Sequence, residues 1–348
     1  MNIINISAPP KLNTDRLNSR LTIHLLAIAH FIQKYTLEQL TEVYGYKSLR
    51  LSFEAFIALI GEGGIRQSEL ASRLAMTKQS CNKVINQLEN YGYVDRNPDT
   101  FDGRAKQLVL TASGQQLLKN GSQVTEEIQR KFSAIVGHQL IINTIDHLNK
   151  LCEKSGINIP AYQQTPHTFA EMGIIMPRLS DYIIQQLLEL ISAKGFAGLK
   201  PSFGQVIGLI RNKGRSIQNI ATHVGVSKQA ISAITTELKN LGYIHRDTDP
   251  NDRRQVILRL TTLGNELLLE SVNCILCLED RFHLILGNND FSSLQNCMRD
   301  LCDALELDVE QYSDQADHTI SDMAKNLLDQ IGPANAEALA NQLLNLIK

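Results

Sequence analysis

One stretch of this chain is written twice. Residues 76–96 read MTKQSCNKVINQLENYGYVDR and residues 226–246 read VSKQAISAITTELKNLGYIHR, one pattern at an offset of 150 positions. The same offset pairs SFEAFIALIGEGG (52–64) with SFGQVIGLIRNKG (202–214), and RNPDTFDGRAKQLVLTASGQQLL (96–118) with RDTDPNDRRQVILRLTTLGNELL (246–268). It still holds at RKFSAIVG (130–137) and DRFHLILG (280–287), so the repeated unit spans about 24–157 and 174–307. A solenoid needs at least three stacked repeats, so two copies of this length read as a duplicated domain. The expected division is a first unit at 1–158, a linker at 159–173, a second unit at 174–310 and a C-terminal helical extension at 311–348. A chain of 348 residues with 43% hydrophobic and 20% charged residues has ample material for two globular cores.

Each copy carries the same local signals. Residues 24–44 place apolar side chains at helical spacing and stop at Gly45. A second helix is expected over about 52–61 and a short third over 68–76, with small residues (Ala71 and Ala75; Ala221 and Gly225) that let the next helix pack closely. Thr77 and Ser227 then stand as N-caps of a helix ending at Asn90 and Asn240, before Gly92 and Gly242. Past the glycine the period changes to two, predicting a two-stranded hairpin, and two longer helices close each copy (about 112–135 and 139–153; 262–286 and 291–306). Helix, helix, turn, helix and hairpin make a winged helix-turn-helix.

The hairpin and the start of the long helix behind it resemble the MarR family of transcriptional regulators. The residues that carry the likeness are Asp102-Gly103-Arg104 with Leu110-Thr111 and Gly114, and Asp252-Arg253-Arg254 with Leu260-Thr261 and Gly264. The resemblance implies a mainly α fold with small β-wings: tandem winged helix-turn-helix domains forming an intramolecular MarR-like pseudo-dimer. Such regulators pair two subunits across a two-part DNA site, and here both subunits would lie in one chain. The resemblance further implies half-sites about one duplex turn, roughly 34 Å, apart.

Double-stranded DNA is therefore the expected partner, and transcriptional regulation, as a repressor, the expected role. In the first copy Thr77, Lys78, Gln79, Ser80, Asn82 and Lys83 occupy the early turns of the recognition helix; in the second these are Ser227, Lys228, Gln229, Ala230 and Ser232. Amide side chains match adenine edges, lysine reaches guanine or phosphate, and hydroxyls reach phosphate. Arg104, Arg253 and Arg254 lie at the wings, where arginine suits a narrow minor groove, with Asp102 and Asp252 placed to orient them. Asn82 and Lys83 face Ser232 and Ala233 across the repeat, so the favoured DNA is expected to be an imperfect palindrome. The net charge of −2 does not oppose this, because a small basic footprint can sit on a mildly acidic body.

The resemblance also implies a small-molecule effector cavity between the first helix and the winged lobe. Its candidate lining is His24, His30, Tyr35, Tyr44 and Tyr46, with Lys47 and Arg50 for an anionic ligand. The six cysteines form no disulfide framework; Cys81, Cys152 and Cys302 fall on apolar helix rows. A zinc site among Cys274, Cys277, Cys297 and Cys302 is the less favoured option, because structural zinc usually takes its cysteines from turns. The chain shows no nucleotide-binding glycine loop, zinc-protease motif or nucleophile triad, so neither an enzyme nor a cofactor is expected. No apolar run approaches the roughly 20 residues of a membrane helix, and the N-terminus lacks a secretory pattern, so the cytoplasm is the expected compartment. Two other readings stay open: a replication initiator with two winged domains, and a protein-interaction scaffold. Lysine and glutamine on both recognition turns speak against the scaffold, and the D-x-R and L-T-x-x-G elements speak against the initiator.

Overall fold

The computed structural model describes residues 20–61, 63–74, 76–98, 106–157, 159, 171–210, 214–224, 226–248 and 256–307. The first copy runs α1 (Leu21–Glu42), a 3-10 turn (Leu51–Phe53), α2 (Glu54–Ile60), β1 (Ile65–Arg66), α3 (Gln67–Arg73), α4 (Lys78–Asn90), β2 (Val94–Pro98), β3 (Lys106–Leu110), α5 (Ala112–Val136) and α6 (His138–Lys154). The second repeats the order as α7 (Glu171–Ala193), α8 (Pro201–Ile210), β4 (Arg215–Ser216), α9 (Ile217–Val224), α10 (Lys228–Asn240), β5 (Ile244–Thr248), β6 (Val256–Leu260), α11 (Thr262–Leu286) and α12 (Asn288–Ala304). The tandem winged helix-turn-helix architecture is thus present. Helix α7 opens at Glu171, inside the stretch expected to be linker. The extension at 311–348 lies outside the described residues, as do Ala75 and Gly225.

The wing differs from the sequence expectation by one strand. Each sheet has three strands in the order β1-β3-β2 or β4-β6-β5, all antiparallel, with Ile65 opposite Leu108 and Arg215 opposite Leu258. A two-residue strand is too short to show alternation, so β1 and β4 left no periodic trace. Their pairing ties the start of α3 and α9 to the hairpin.

Each lobe closes over one face of its recognition helix. In α4 that face is Cys81, Ile85 and Leu88, at helical spacing and fully buried; in α10 it is Ile231, Thr235 and Leu238. They pack against Phe53, Phe56 and Leu70 in the first lobe, and against Phe203, Val206 and Ile220 in the second. Burying one leucine or isoleucine side chain stabilises by about 1.5–3 kcal/mol, enough to hold the opposite face of the helix outward.

The L-T-x-x-G element has a structural cause. The Thr111 hydroxyl donates to Gly92 O (2.6 Å) and accepts from Gly114 N–H (3.0 Å), capping α5. Thr111 N–H donates to Tyr93 O (3.1 Å). A Cβ on Gly114 would lie 2.0 Å from that same carbonyl oxygen. The second copy repeats the joint: Thr261 reaches Gly242 O (2.6 Å), and a Cβ on Gly264 would come within 2.1 Å of Tyr243 O.

The helices outside the wings do not keep to their own copy. One compact unit takes residues 24–184 and 279–307, while the second winged lobe belongs to the other, with residues 185–278. Within the first of these, α12 of copy two packs against α5 and α6 of copy one. The buried rows Ile141/Ile145/Leu148/Cys152 and Leu294/Met298/Leu301/Cys302 supply its core. Lys150 Nζ donates to Asp290 Oδ2 (3.1 Å) and to Leu286 O (3.3 Å), holding the Asp290 carboxyl below the usual carboxylate range. Burial pushes the thiols of Cys152 and Cys302 up to about 12, which makes them inert core residues rather than redox sensors.

Gly114→Ala or Gly264→Ala is expected to cost about 3 kcal/mol, because the added methyl overlaps a hydrogen-bonded carbonyl that cannot yield. Urea unfolding of each variant checks this; loss below about 1 kcal/mol would show that the helix can shift off the wing without penalty.

Candidate nucleic-acid interface

The recognition helices begin as their sequences predict. Thr77 Oγ1 accepts from Ser80 N–H (3.1 Å) and Ser227 Oγ accepts from Ala230 N–H (3.2 Å). The Thr77 hydroxyl also donates to Ser80 Oγ (2.9 Å), so both hydroxyls serve the cap. Such a cap stabilises a helix by about 1 kcal/mol and fixes where its first turn points. Lys78, Gln79, Ser80 and Lys83 are exposed and Asn82 half-buried; in the second lobe Lys228, Gln229 and Ala230 are exposed and Ser232 half-buried. The predicted reading residues therefore share one open face on each helix. Asp102, Arg104, Asp252, Arg253 and Arg254 lie outside the described residues.

The first lobe holds a residue that the sequence reading passed over. Arg96, on β2, donates through Nη2 to Asn82 Oδ1 (3.0 Å) and Asn86 Oδ1 (2.8 Å), and it pairs with Glu89 Oε2 at 3.1 Å. Asn82, Asn86 and Glu89 are spaced at i, i+4 and i+7, so one guanidinium spans three side chains on one face of α4. The arginine closing the duplicated motif was visible in sequence; its partners were not.

A cavity of roughly 120 Å³ opens beside the first lobe, between α1, α2, α5 and the start of α7. Its wall is mostly apolar, with Gln33, Thr36, Arg50, Glu54, Ser122 and Thr125 as the polar contributors. Of the residues expected around such a cavity only Arg50 lines it. His24 is buried in the helical core, with Cys302 Sγ 3.9 Å from its carbonyl oxygen. His30 is half-buried, and burial lowers its pKa. Tyr44 and Lys47 are exposed, Tyr46 accepts from Asn120 Nδ2 (3.0 Å), and Tyr35 receives Lys131 Nζ (2.6 Å). The correction follows from helix phase, since Ile32, Gln33, Thr36, Leu37 and Leu40 form the face of α1 that meets the lobe.

The second copy helps to build this cavity. A Cβ on Gly173 would lie 2.4 Å from Thr125 Cβ, so α7 crosses α5 closely there. Met172 N–H is received by Gln129 Oε1 (3.1 Å), and Pro177, a turn further on, has no N–H to offer the Gly173 carbonyl. Glu54 is open to the cavity, yet the protein crowded around it raises its carboxyl to about 7, with Arg178 opposing the shift and Asp181 adding to it. Among the described residues no group of three or more histidine, cysteine or acidic side chains could hold a metal ion, and no helix is long and apolar enough to cross a membrane.

The class defined by these lobes is the winged helix-turn-helix. A family model described as the MarR family matches residues 50–105 and again 197–255, one segment in each lobe. An uncharacterised HTH-type transcriptional regulator of Mycobacterium leprae is 33% identical over 73 residues, a match spanning 21% of this chain and about half (51%) of that relative. Among solved structures, the transcriptional repressor CouR bound to a 23-mer DNA duplex is 26% identical, covering 38% of this chain and 92% of its own, with a TM-score of 0.33. FabT of Streptococcus pneumoniae in complex with DNA is 19% identical, covering 36% and 90%, with a TM-score of 0.32. Each winged lobe is thus similar to the MarR family over the segment that the family model matches.

Because Glu54 resists ionisation in the fold but not in the unfolded chain, its charge destabilises the fold increasingly from pH 4.5 to about 7 and constantly above that. Glu54→Gln is therefore expected to melt higher than the parent at pH 8 and equally near pH 4. Melting curves across that range check it; equal midpoints at pH 8 would mean that the carboxyl is solvated normally.

Proposed function

We propose that this chain binds duplex DNA through the exposed first turns of α4 and α10 and regulates transcription, as a repressor. The observation that carries the reading is the duplicated Lys-Gln pair: Lys78-Gln79 and Lys228-Gln229, each exposed directly after a capped helix start and opposite a buried apolar face. Cations and amides at a helix start fit the rim and floor of a major groove. The two MarR-family segments coincide with the two lobes and support the same conclusion. Arg104, Arg253 and Arg254 are proposed to contact the minor groove beside each half-site, with Asp102 and Asp252 orienting them.

We propose further that a small ligand in the cavity beside the first lobe releases the DNA. An engineered cavity of about 150 Å³ accepts benzene, so one of roughly 120 Å³ suits a body of about one ring. Gln33 and Glu54 would hold its polar group. The repeat puts Ile183, Gly204, Val272 and Ile275 at the positions of Gln33, Glu54, Ser122 and Thr125. In the second lobe Leu187, Leu190, Leu199 and Leu268, the counterparts of cavity-lining leucines, pack on the core. Among the described residues the second copy therefore does not repeat this polar lining, and one ligand site per chain is proposed.

Gel shifts against the DNA upstream of the chain's own gene, at several salt concentrations, test the reading. With three or four cations per lobe on phosphates, log affinity is expected to fall against log salt with a slope of roughly −5 to −7. Substituting Arg104 or Arg254 should weaken all sequences alike, whereas Gln79→Ala should relax discrimination. No shift even at low salt would sink the proposal. Calorimetry with single-ring phenols is expected to give one site per chain, and two equal sites would contradict the single cavity.

A further inference from the structure

The reading heads are chemically unequal in a way that only the folded lobes reveal. Resting on the DNA-binding reading above, we propose that the first lobe reads bases through Asn82 and Asn86 while the second grips phosphate with little regard for sequence.

In the first lobe Arg96 donates to the carbonyl oxygens of both asparagines, which turns both amide NH₂ groups away from it. A side-chain amide held in this way meets DNA as an oriented donor. Donors match the acceptor-rich edges of guanine (N7 and O6), adenine N7 and thymine O4, and they do not match the amino group of cytosine. Glu89 sits against the same guanidinium, so Arg96 brings little net charge to the surface. The head is orienting at the cost of electrostatic pull.

The repeat replaces each part of this clamp. Ser232, Thr236 and Lys239 stand where Asn82, Asn86 and Glu89 stand, while the arginine is kept as Arg246. The Thr236 hydroxyl donates to Ser232 O (2.8 Å), turning back on its own helix. Lys239 has the charge of Arg246 and can only repel it. Arg246, Lys239 and Lys228 are all exposed. Among the described residues, the acids closest to them in sequence are engaged elsewhere: Glu237 pairs with Lys200, and Asp247 lies 3.2 Å from both His245 and Arg259. Three exposed cations without oriented amides favour phosphate, whose contacts are salt-sensitive and carry no sequence.

Selection of duplexes from a randomised pool by the full chain, followed by binding measurements on the selected DNA, tests this division. The expected product has one strongly specified half-site, rich in guanine or other acceptor edges, and one weakly specified half-site. Glu89→Lys should free Arg96 and reduce discrimination at the first half-site by about tenfold per contacted base, with the salt slope steepening by about 2. Glu89→Gln, which keeps shape and alters only charge, should steepen the slope and retain most discrimination. Ser232→Asn with Thr236→Asn and Lys239→Glu should build the clamp in the second lobe, making its half-site selective and flattening the slope by about 2. Circular dichroism of each variant separates a lost fold from a lost contact. Two equally informative half-sites for the parent chain would overturn the proposal. So would a triple variant that folds and leaves both slope and selectivity unchanged. Failure to bind any duplex at low salt would instead reject the DNA-binding reading itself.

Discussion

A threonine hydroxyl and a glycine without a side chain join each wing to the long helix behind it. Thr111 links the end of β3 to the carbonyl of Gly92 and caps α5, and Gly114 lets that helix rest on the carbonyl of Tyr93. The consequence reaches beyond the joint. Recognition helix, wing and long helix are all anchored within a few residues of Gly92, so the exposed face of α4 has a fixed direction relative to α5. Thr261 and Gly264 do the same for α10 and α11. The L-T-x-x-G element is a device for close approach, and its recurrence in both copies reflects one steric requirement met twice.

Fusion of two copies removes the demand that they stay identical. A dimer of identical subunits must present the same reading helix twice and line every cavity twice. Here the helical unit takes α5 and α6 from one copy and α12 from the other, and duplication has been followed by divergence in its chemistry. Arg96 is bound to Asn82, Asn86 and Glu89, whereas the repeat sets Lys239 at the position of Glu89 and keeps the arginine as Arg246. Glu54 lines a cavity, and its counterpart is Gly204. Charges that would oppose one another in a symmetric assembly can therefore be allotted to different tasks along one chain.

Much of the fold was legible in the sequence. The helix boundaries at Lys78–Asn90 and Lys228–Asn240, their threonine and serine caps and the positive-φ glycines that end them follow from contacts within a few residues. The buried rows of Cys81, Ile85 and Leu88, and of Ile141, Ile145, Leu148 and Cys152, follow from helical periodicity. The two-residue strands β1 and β4 escaped notice because periodicity needs length. A cavity opens beside α1, but its lining shares only Arg50 with the residues expected around a ligand. His24 and His30 looked polar enough for a ligand, but which face of α1 meets the lobe depends on helices α5 and α7, distant in sequence.

By itself the sequence determined that the chain is a duplicated winged helix-turn-helix with Lys-Gln on each reading turn, since repeats, caps and periods are local records. Tertiary structure alone decided that Arg96 grips three residues of α4, that the protein packed around Glu54 opposes its charge, and that helices of both copies share one core. Those outcomes rest on atoms brought within a few ångströms from positions about ten to more than a hundred residues apart. No local pattern encodes such a meeting, because its energy appears only once the intervening chain has folded.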